Sequence, residues 1–578
     1  DTSALMGNEV ATFPYYPAEI RPPHNTIAGV SGFQVNAGAN VKTSGDLSDI
    51  LVCMNPASLA ANIKNAKKGA TLVIDNSLFE EKIFEKAGFK TNPLTDGSLS
   101  NYNLITANFS EIVKESCKDL GLDVKSVDRT RNLLGLGIVL YLCDYDILIT
   151  LKLLEKKFKS KPQILEANKA VLKTGYFYAE AQELQISKIH VSSAEMDKGK
   201  YRNITGNIAT AWGLLAASER SGRPLFLGSY PITPATEILI ELAKHKSLGA
   251  KVFQAEDEIA GICSAIGASF AGSMACTTTS GPGLSLKTEA IGLAVITELP
   301  LVIVNVQRGG PSTGLPTKTE QSDLNMALFG RNGEAPCIVT AASSPGDCFY
   351  KAYETAKLSM EHMTPAILLT DGQMGQGSEL FRIPKVADLP KITPPIAKAN
   401  DENYQPYLRD PETLARQWAI PGTEGLRHRI GGLEKTEGKG EISTDPLNHE
   451  LMVKHRNEKV QRVANYIPEQ DVMGDAQGDL LVVSWGGTKG AVSSAVRELQ
   501  AQGKKVSHAH FSYIMPLPKN TEKVLAGFKK IVVCELNAGQ FANYLRMTHP
   551  GCQYLQYNKV QGLPFTITEL AEHFNNIL

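Results

Sequence analysis

No two cysteines in this 578-residue chain are spaced as Cys-x-x-Cys; the nine (Cys53, Cys117, Cys143, Cys263, Cys276, Cys337, Cys348, Cys534, Cys552) are scattered and odd in number. That pattern excludes a local ligand set for zinc or an iron–sulfur cluster and argues against a disulfide framework, so a reduced, cytoplasmic setting is expected. An excess of one charge is missing too. With 59 basic and 60 acidic residues the formal net charge is −1, so neither nucleic acid nor a membrane surface is expected as the main partner. The most apolar stretch, Leu133 to Leu154, is interrupted by Asp144, Asp146 and Lys152, which predicts a buried or amphipathic element and no membrane span. The polar start Asp1-Thr2-Ser3 carries neither a basic nor an apolar leader region, so no signal peptide is expected. What remains, 43% hydrophobic, is the composition of a globular enzyme with about three or four domains.

The rhythm of the chain is α/β. Residues 1–185 alternate short apolar runs (Ile50-Leu51-Val52, Ala70 to Ile74) with helical patterns such as Ser110 to Leu120. Between about 202 and 385, candidate strands Pro224–Gly228, Lys251–Gln254, Met274–Thr278, Leu301–Val306 and Ala366–Thr370 alternate with helices, which predicts a doubly wound, mainly parallel sheet. Residues 386–475 turn rich in Pro, Gly and charge and read as an extended connector. Residues 476–578 resume α/β, with strands Leu480–Ser484, Lys505–His510 and Ile531–Cys534 and a helix from Gly490 to Gln502.

Successive strand ends in the middle domain carry polar loops shaped by Gly and Pro. The carboxyl ends of strands are where open α/β sheets bind ligands. Tyr230-Pro231-Ile232-Thr233-Pro234-Ala235-Thr236-Glu237 is the first; there Thr233 either offers its hydroxyl to a ligand or caps a helix with Glu237 closing a capping box. Gln254 to Gly261 opens a helix of small residues with Glu256, Asp257 and Glu258 in its first turn. The helix dipole alone would favour them, but so close-packed a helix should draw at least one carboxylate into a buried setting, where it needs a designated partner. Thr277 to Leu286 is a hydroxyl- and glycine-rich loop without a Walker lysine. Arg308, the first charge after Leu301–Val306, opens Arg-Gly-Gly-Pro-Ser-Thr-Gly-Leu-Pro-Thr and could grip a carboxylate in bidentate fashion or form an ordinary ion pair. Asp371-Gly372-Gln373-Met374-Gly375 follows the last strand. His508 and His510 share one face of a strand, where packing is expected rather than metal binding.

Together these segments resemble the α chain of the 2-oxoacid:ferredoxin oxidoreductases, thiamine diphosphate enzymes that oxidise 2-oxoacids with coenzyme A. The resemblance rests on Tyr230-Pro231-Ile232-Thr233-Pro234, on Glu256-Asp257-Glu258-Ile259-Ala260 and above all on Gln307 to Thr317; the continuation Lys318 to Leu324 is most similar to the 2-oxoglutarate-specific members. It covers nearly the whole chain. Residues 1–185 resemble the family's γ domain, with the motif Tyr16-Pro17-Ala18-Glu19-Ile20-Arg21 present and the usual opening glycine turn absent. Residues 202–385 resemble the pyrimidine-binding domain, and residues 476–578 the transketolase C-terminal-like domain.

The resemblance implies that Glu258 is the activating glutamate, whose carboxyl on the aminopyrimidine N1′ favours the imino form that takes the thiazolium C2 proton. It implies that Tyr230, Pro231 and Ile232 help bind the cofactor, and that Thr233, Arg308 and Thr317 hold the head of the 2-oxoacid. No Gly-Asp-Gly diphosphate–magnesium motif and no cysteine set for a [4Fe–4S] cluster occurs in the chain, and no metal site is expected in it. A β subunit would bring the diphosphate site, Mg2+ and the cluster, in an (αβ)2 heterotetramer that passes electrons to ferredoxin; the α chain alone would be inactive. Three alternatives remain open at this point: pyruvate or another 2-oxoacid as substrate, a thiamine-dependent dehydrogenase or transketolase subunit without iron–sulfur chemistry, and a non-catalytic scaffold.

Overall fold

The computed structural model describes residues 1–17, 23, 25–182 and 188–578, in two compact units, Asp1–Gly199 and Lys200–Leu578. In the first unit, Ile50-Leu51-Val52 and Ala70 to Ile74 form the parallel strands Ser48–Cys53 and Ala66–Asp75, with Asn103–Ala107 on the far side of Ala66–Asp75. The expected helix from Ser110 is Phe109–Ser116, capped by Asn108 and followed by a 3-10 turn, Lys118–Leu120. Leu133 to Leu154 divides between two helices, Arg131–Leu142 and Ile147–Phe158; Asp144 takes a left-handed φ of 54° and Asp146 caps the second by accepting from Leu148 N at 2.8 Å. Arg131–Leu142 packs on Pro162–Ala181 through Gly137 and Gly175, where a Cβ on either glycine would strike the other helix's backbone. No helix of the described residues is long and apolar enough to cross a membrane. Glu9–Tyr15 and Gly32–Gly38 pair antiparallel, and the motif residues Ala18 to Arg21 between them lie outside the described residues.

The second unit is built on a seven-stranded sheet, in the order Tyr513–Met515, Ile338–Ala341, Pro365–Asp371, Leu301–Gln307, Met274–Thr279, Leu225–Ser229, Lys251–Gln254. All pairings are parallel except Tyr513–Met515 with Ile338–Ala341. Every position of Met274–Thr279, Leu301–Gln307 and Pro365–Asp371 is buried, as expected of parallel strands covered on both faces. The chain leaves Leu225–Ser229 for Lys251–Gln254 on one side and returns to Met274–Thr279 on the other, so strand order reverses at Leu225–Ser229. That is the switch point at which doubly wound sheets open a crevice. A second parallel sheet follows, in the order Val506–Phe511, Gly478–Trp485, Phe528–Glu535, Tyr554–Asn558.

The stretch 386–475 holds a 17-residue helix, Pro446–Arg462, with Asp445 as cap and Pro446 at its first position. Tyr407, Arg416 and Trp418 from this stretch are fully buried. Glu298, just before strand Leu301–Gln307, takes Arg409 and Lys459; Arg416 Nε donates to Thr297 O at 3.3 Å and Trp418 Nε1 to Ser269 O at 3.2 Å. Burial alone would raise the Glu298 carboxyl, but Lys459 and Arg409 hold it down to about 2. These ties fasten the stretch to the amino-terminal end of the large sheet.

Candidate active site

Strand Leu225–Ser229 runs out at Tyr230, and the chain turns through Pro231, Ile232 and a cis Thr233–Pro234 bond. The helix that follows, Thr236–Ala243, starts at Ala235 as cap and has no side-chain cap bond, so the capping box expected at Thr233 and Glu237 does not form. Its start lies two residues too late for Thr233 to reach a first-turn N–H. Glu237 instead accepts from Asn207 Nδ2 at 3.1 Å, and the same nitrogen donates to Pro234 O at 2.9 Å. The Thr233 side chain is exposed, Pro231 and Ile232 are half-buried, and Tyr230 is exposed beside them.

Asp257 caps the helix Glu258–Phe270, accepting from Ala260 N at 2.7 Å. Gly228 and Gly261 let this helix lie directly on Leu225–Ser229, since a Cβ on Gly261 would come within 3.2 Å of Ser229 Cα. The close seating buries Glu258 to 8% exposure, while Glu256 and Asp257 stay exposed. The helix is half covered, with Ile262, Ala265 and Ile266 inside and Ile259 and Cys263 outside. No described side chain or backbone N–H donates a hydrogen bond to the Glu258 carboxylate. Its neighbour is the turn at Gly283, where a Cβ would collide with Thr279 Oγ1 and stand 2.8 Å from Glu258 Cγ. Lys287, fully buried at the end of that turn, donates from Nζ to the Glu258 carbonyl at 2.9 Å.

Arg308 follows strand Leu301–Gln307 and is 7% exposed. Its Nη1 donates to Thr233 O at 2.6 Å, while its Nε is buried without a partner. The loop after it closes on itself: Leu315 N donates to Gly309 O at 2.8 Å and Gly309 N to Lys318 O at 3.0 Å. Gly314, with φ +50°, is required because a Cβ there would strike Gly309 O. Thr317 is half-buried at the base of the loop. Thr319 Oγ1 donates to Asp371 Oδ1 at 3.0 Å, and a Cβ on Gly372 would lie within 4 Å of Gln307 O, Pro234 and Lys318 O. The loops from Tyr230, Arg308 and Asp371 therefore meet at Gly372. The Thr277 to Leu286 loop joins through Ser229 Oγ, 2.8 Å from Thr278 O, and through Asp323, which lies against Gly281.

Several residues here went unnoticed in the sequence. Asp323 accepts from Asn305 Nδ2 at 2.9 Å, its N–H donates to Gln307 Oε1 at 3.2 Å, and burial pushes its carboxyl up against the opposing Asn305 bond. Lys287 carried a usable signal, as a lone cation in the small and apolar run Gly281 to Ile296. Gln321 ties the Arg308 loop to the second sheet, donating from Nε2 to Trp485 O at 2.7 Å and accepting from Leu536 N at 3.0 Å. His508 and His510, which the sequence did single out, both bond Ser484 Oγ, at 2.7 and 2.8 Å.

Residues 1–178 match the family described as pyruvate ferredoxin/flavodoxin oxidoreductase, and residues 219–444 that described as its thiamine diphosphate-binding region. The 2-oxoglutarate oxidoreductase subunit KorA of Mycobacterium tuberculosis is 46% identical over 98% of this chain and 87% of its own. The chain belongs to the 2-oxoacid:ferredoxin oxidoreductase family. Within the family it is also similar to the 2-oxoglutarate synthase subunit KorA of Methanothermobacter marburgensis, 33% identical over 58% of this chain and 88% of that one. The 2-oxoglutarate:ferredoxin oxidoreductase of Magnetococcus marinus, solved with 2-oxoglutarate, coenzyme A and succinyl-CoA bound, superposes with a TM-score of 0.87 at 29% identity, covering 100% of this chain and 95% of that one. The site fits the aminopyrimidine half of thiamine diphosphate: a nearly buried carboxylate lacks a donor, and the apolar Tyr230, Ile259 and Leu286 are exposed in the segments around it. Among the described residues no group of His, Cys, Asp or Glu side chains could hold a metal ion.

Proposed function

We propose that this chain is the α subunit of a thiamine diphosphate-dependent enzyme that converts 2-oxoglutarate, coenzyme A and oxidised ferredoxin to succinyl-CoA, CO2 and reduced ferredoxin, or runs the reverse carboxylation. The observation that carries the reading is a pair of opposite charges with unmet bonding capacity at the carboxyl edge of one sheet: the carboxylate of Glu258, a residue 8% exposed to which no described group donates, and Arg308 Nε, buried without a partner. Buried charges without partners are costly and mark places where a ligand completes the bonding.

When bound, thiamine diphosphate supplies the nucleophilic carbon and the electron sink for decarboxylation. Glu258 holds a proton at the ring's N1′, and its burial keeps water from competing for that contact. Arg308, fixed by Thr233 O, aims its free edge at the carboxylate of the 2-oxoacid. Thr233 and Thr317 offer hydroxyls to the keto oxygen, and Tyr230, Pro231 and Ile232 flank the cofactor ring.

A β-type partner supplies the diphosphate site, Mg2+ and a [4Fe–4S] cluster in an (αβ)2 assembly. The nine unpaired cysteines suit a reducing cytoplasm. The test is reconstitution with the β subunit and viologen reduction with a panel of 2-oxoacids. Turnover fastest with 2-oxoglutarate and absent from the α chain alone is expected; preference for pyruvate, or activity of the α chain alone, would overturn the reading.

A further inference from the structure

Lys287 is a buried ammonium with no carboxylate in contact. It sits where helix Gly281–Leu286 gives way to helix Thr288–Ile296, its side chain is fully buried, and its one hydrogen bond, of the three an ammonium can give, goes to the carbonyl of Glu258. A positive charge beside the start of helix Glu258–Phe270 opposes the helix dipole, so helix stability does not explain it. The titratable groups in its field are the Glu258 and Asp257 carboxylates and the Cys263 thiol, all on that one helix; Glu289, two residues on, faces Cys263.

We propose that Lys287 is the positioning residue of Glu258, tethering its backbone and lending positive charge to its carboxylate. The proposal rests on Glu258 acting as the proton-holding group above. When Glu258 passes a proton to N1′, negative charge grows on its carboxylate, and a fixed ammonium nearby stabilises that charge without moving. Burial draws Lys287 down to about 8, with Glu258 and Asp257 opposing the fall, so the support is present at neutral pH and fades as pH rises through 8.

The test uses the assembled complex and three variants, Lys287→Met, Lys287→Arg and Glu258→Gln, with two readouts: the pH profile of kcat, and a pH titration of bound thiamine diphosphate by near-ultraviolet circular dichroism, which needs no turnover. The parent should lose kcat above pH 8 and show a dichroism transition near the same pH. Lys287→Met should lose about 10- to 100-fold in kcat at pH 7 with KM within about twofold, and lose the transition. Lys287→Arg, charged throughout, should keep most activity and push both transitions beyond pH 9. If Lys287→Arg keeps the parent's transitions, or Lys287→Met keeps the parent's profile, the proposal fails even where the Met variant folds poorly. Glu258→Gln separates the two claims: its activity must vanish for the proton-holding role, whatever Lys287 does.

Discussion

The two parallel sheets of Lys200–Leu578 both end in polar residues, yet they use them differently. At the carboxyl ends of the large sheet, Thr277 Oγ1, Ser280 Oγ, Asn305 Oδ1, Arg308 Nε and Thr370 Oγ1 are buried without hydrogen-bond partners. At the same ends of the smaller sheet the polar groups are mostly consumed within the chain. Glu535 accepts from Phe541 N at 2.8 Å, Ala542 N at 3.0 Å and Trp485 Nε1 at 3.2 Å; Asn537 donates to Gln321 O at 2.9 Å; Ser484 serves two histidines. Of these ends only His510 Nε2 is left over. A strand-end rule alone would nominate both sheets. Accounting for hydrogen bonds separates a sheet built to receive a ligand from one built to brace it.

The contrast is sharpest at the two buried glutamates. Glu258→Gln should lower turnover of the assembled complex by at least about 10²–10⁴-fold and leave thermal stability nearly unchanged, because the carboxylate carries no bond within the chain. Activity within a few-fold of the parent would end the comparison. Arg308→Lys comes next. It keeps the charge and loses the planar fork, so kcat/KM for the 2-oxoacid should fall about 10- to 100-fold with an intact fold. Glu535→Gln should behave oppositely. Replacing one acceptor oxygen by an NH2 among three donors should cost about 1–3 kcal/mol in denaturant unfolding and leave kcat/KM within about threefold. If Glu535→Gln damages catalysis more than stability, the smaller sheet belongs to the site as well.

How much of this was legible beforehand follows the physics of each signal. Strands such as Leu301–Gln307 announced themselves, because burial on both faces demands an unbroken apolar run. Ile338–Ala341 and Tyr513–Met515, at four and three residues, are too short to show a period, and the antiparallel union of the second with the first is set by tertiary packing alone. The loops after the strands were readable from Gly, Pro and hydroxyl content, and of the three acids near residue 257 the one singled out, Glu258, is the one that is buried. Which groups bond one another was not readable. Thr233 in a Thr-Pro-x-x-Glu sequence favours a cap over a ligand contact, and only the helix start at Thr236 decides against the cap. Lys287, Asp323 and Gln321 act across 18 to 215 residues of sequence, a separation that no local pattern encodes.

The smallest effect concerns the histidines that brace the second sheet. Burial, with Lys489 and Arg497 nearby, holds His508 down to about 3, far below the 6.5 of a free imidazole, so His508 is neutral in the folded chain through the whole mildly acid range. The unfolded chain takes up a proton at this position once pH drops below about 6.5 and the folded chain does not, so stability is fully present above 6.5 and declines as pH falls toward 3. Between pH 7 and pH 6 the His508 share of that loss is about 1 kcal/mol or less. His508→Gln, which can still bond Ser484, should flatten the pH dependence of the unfolding midpoint by that amount and leave the pH profile of kcat in place. A change in the kcat profile of equal size would mean that protons at Ser484 reach the reacting groups, and the smaller sheet would then have to be counted with the larger one.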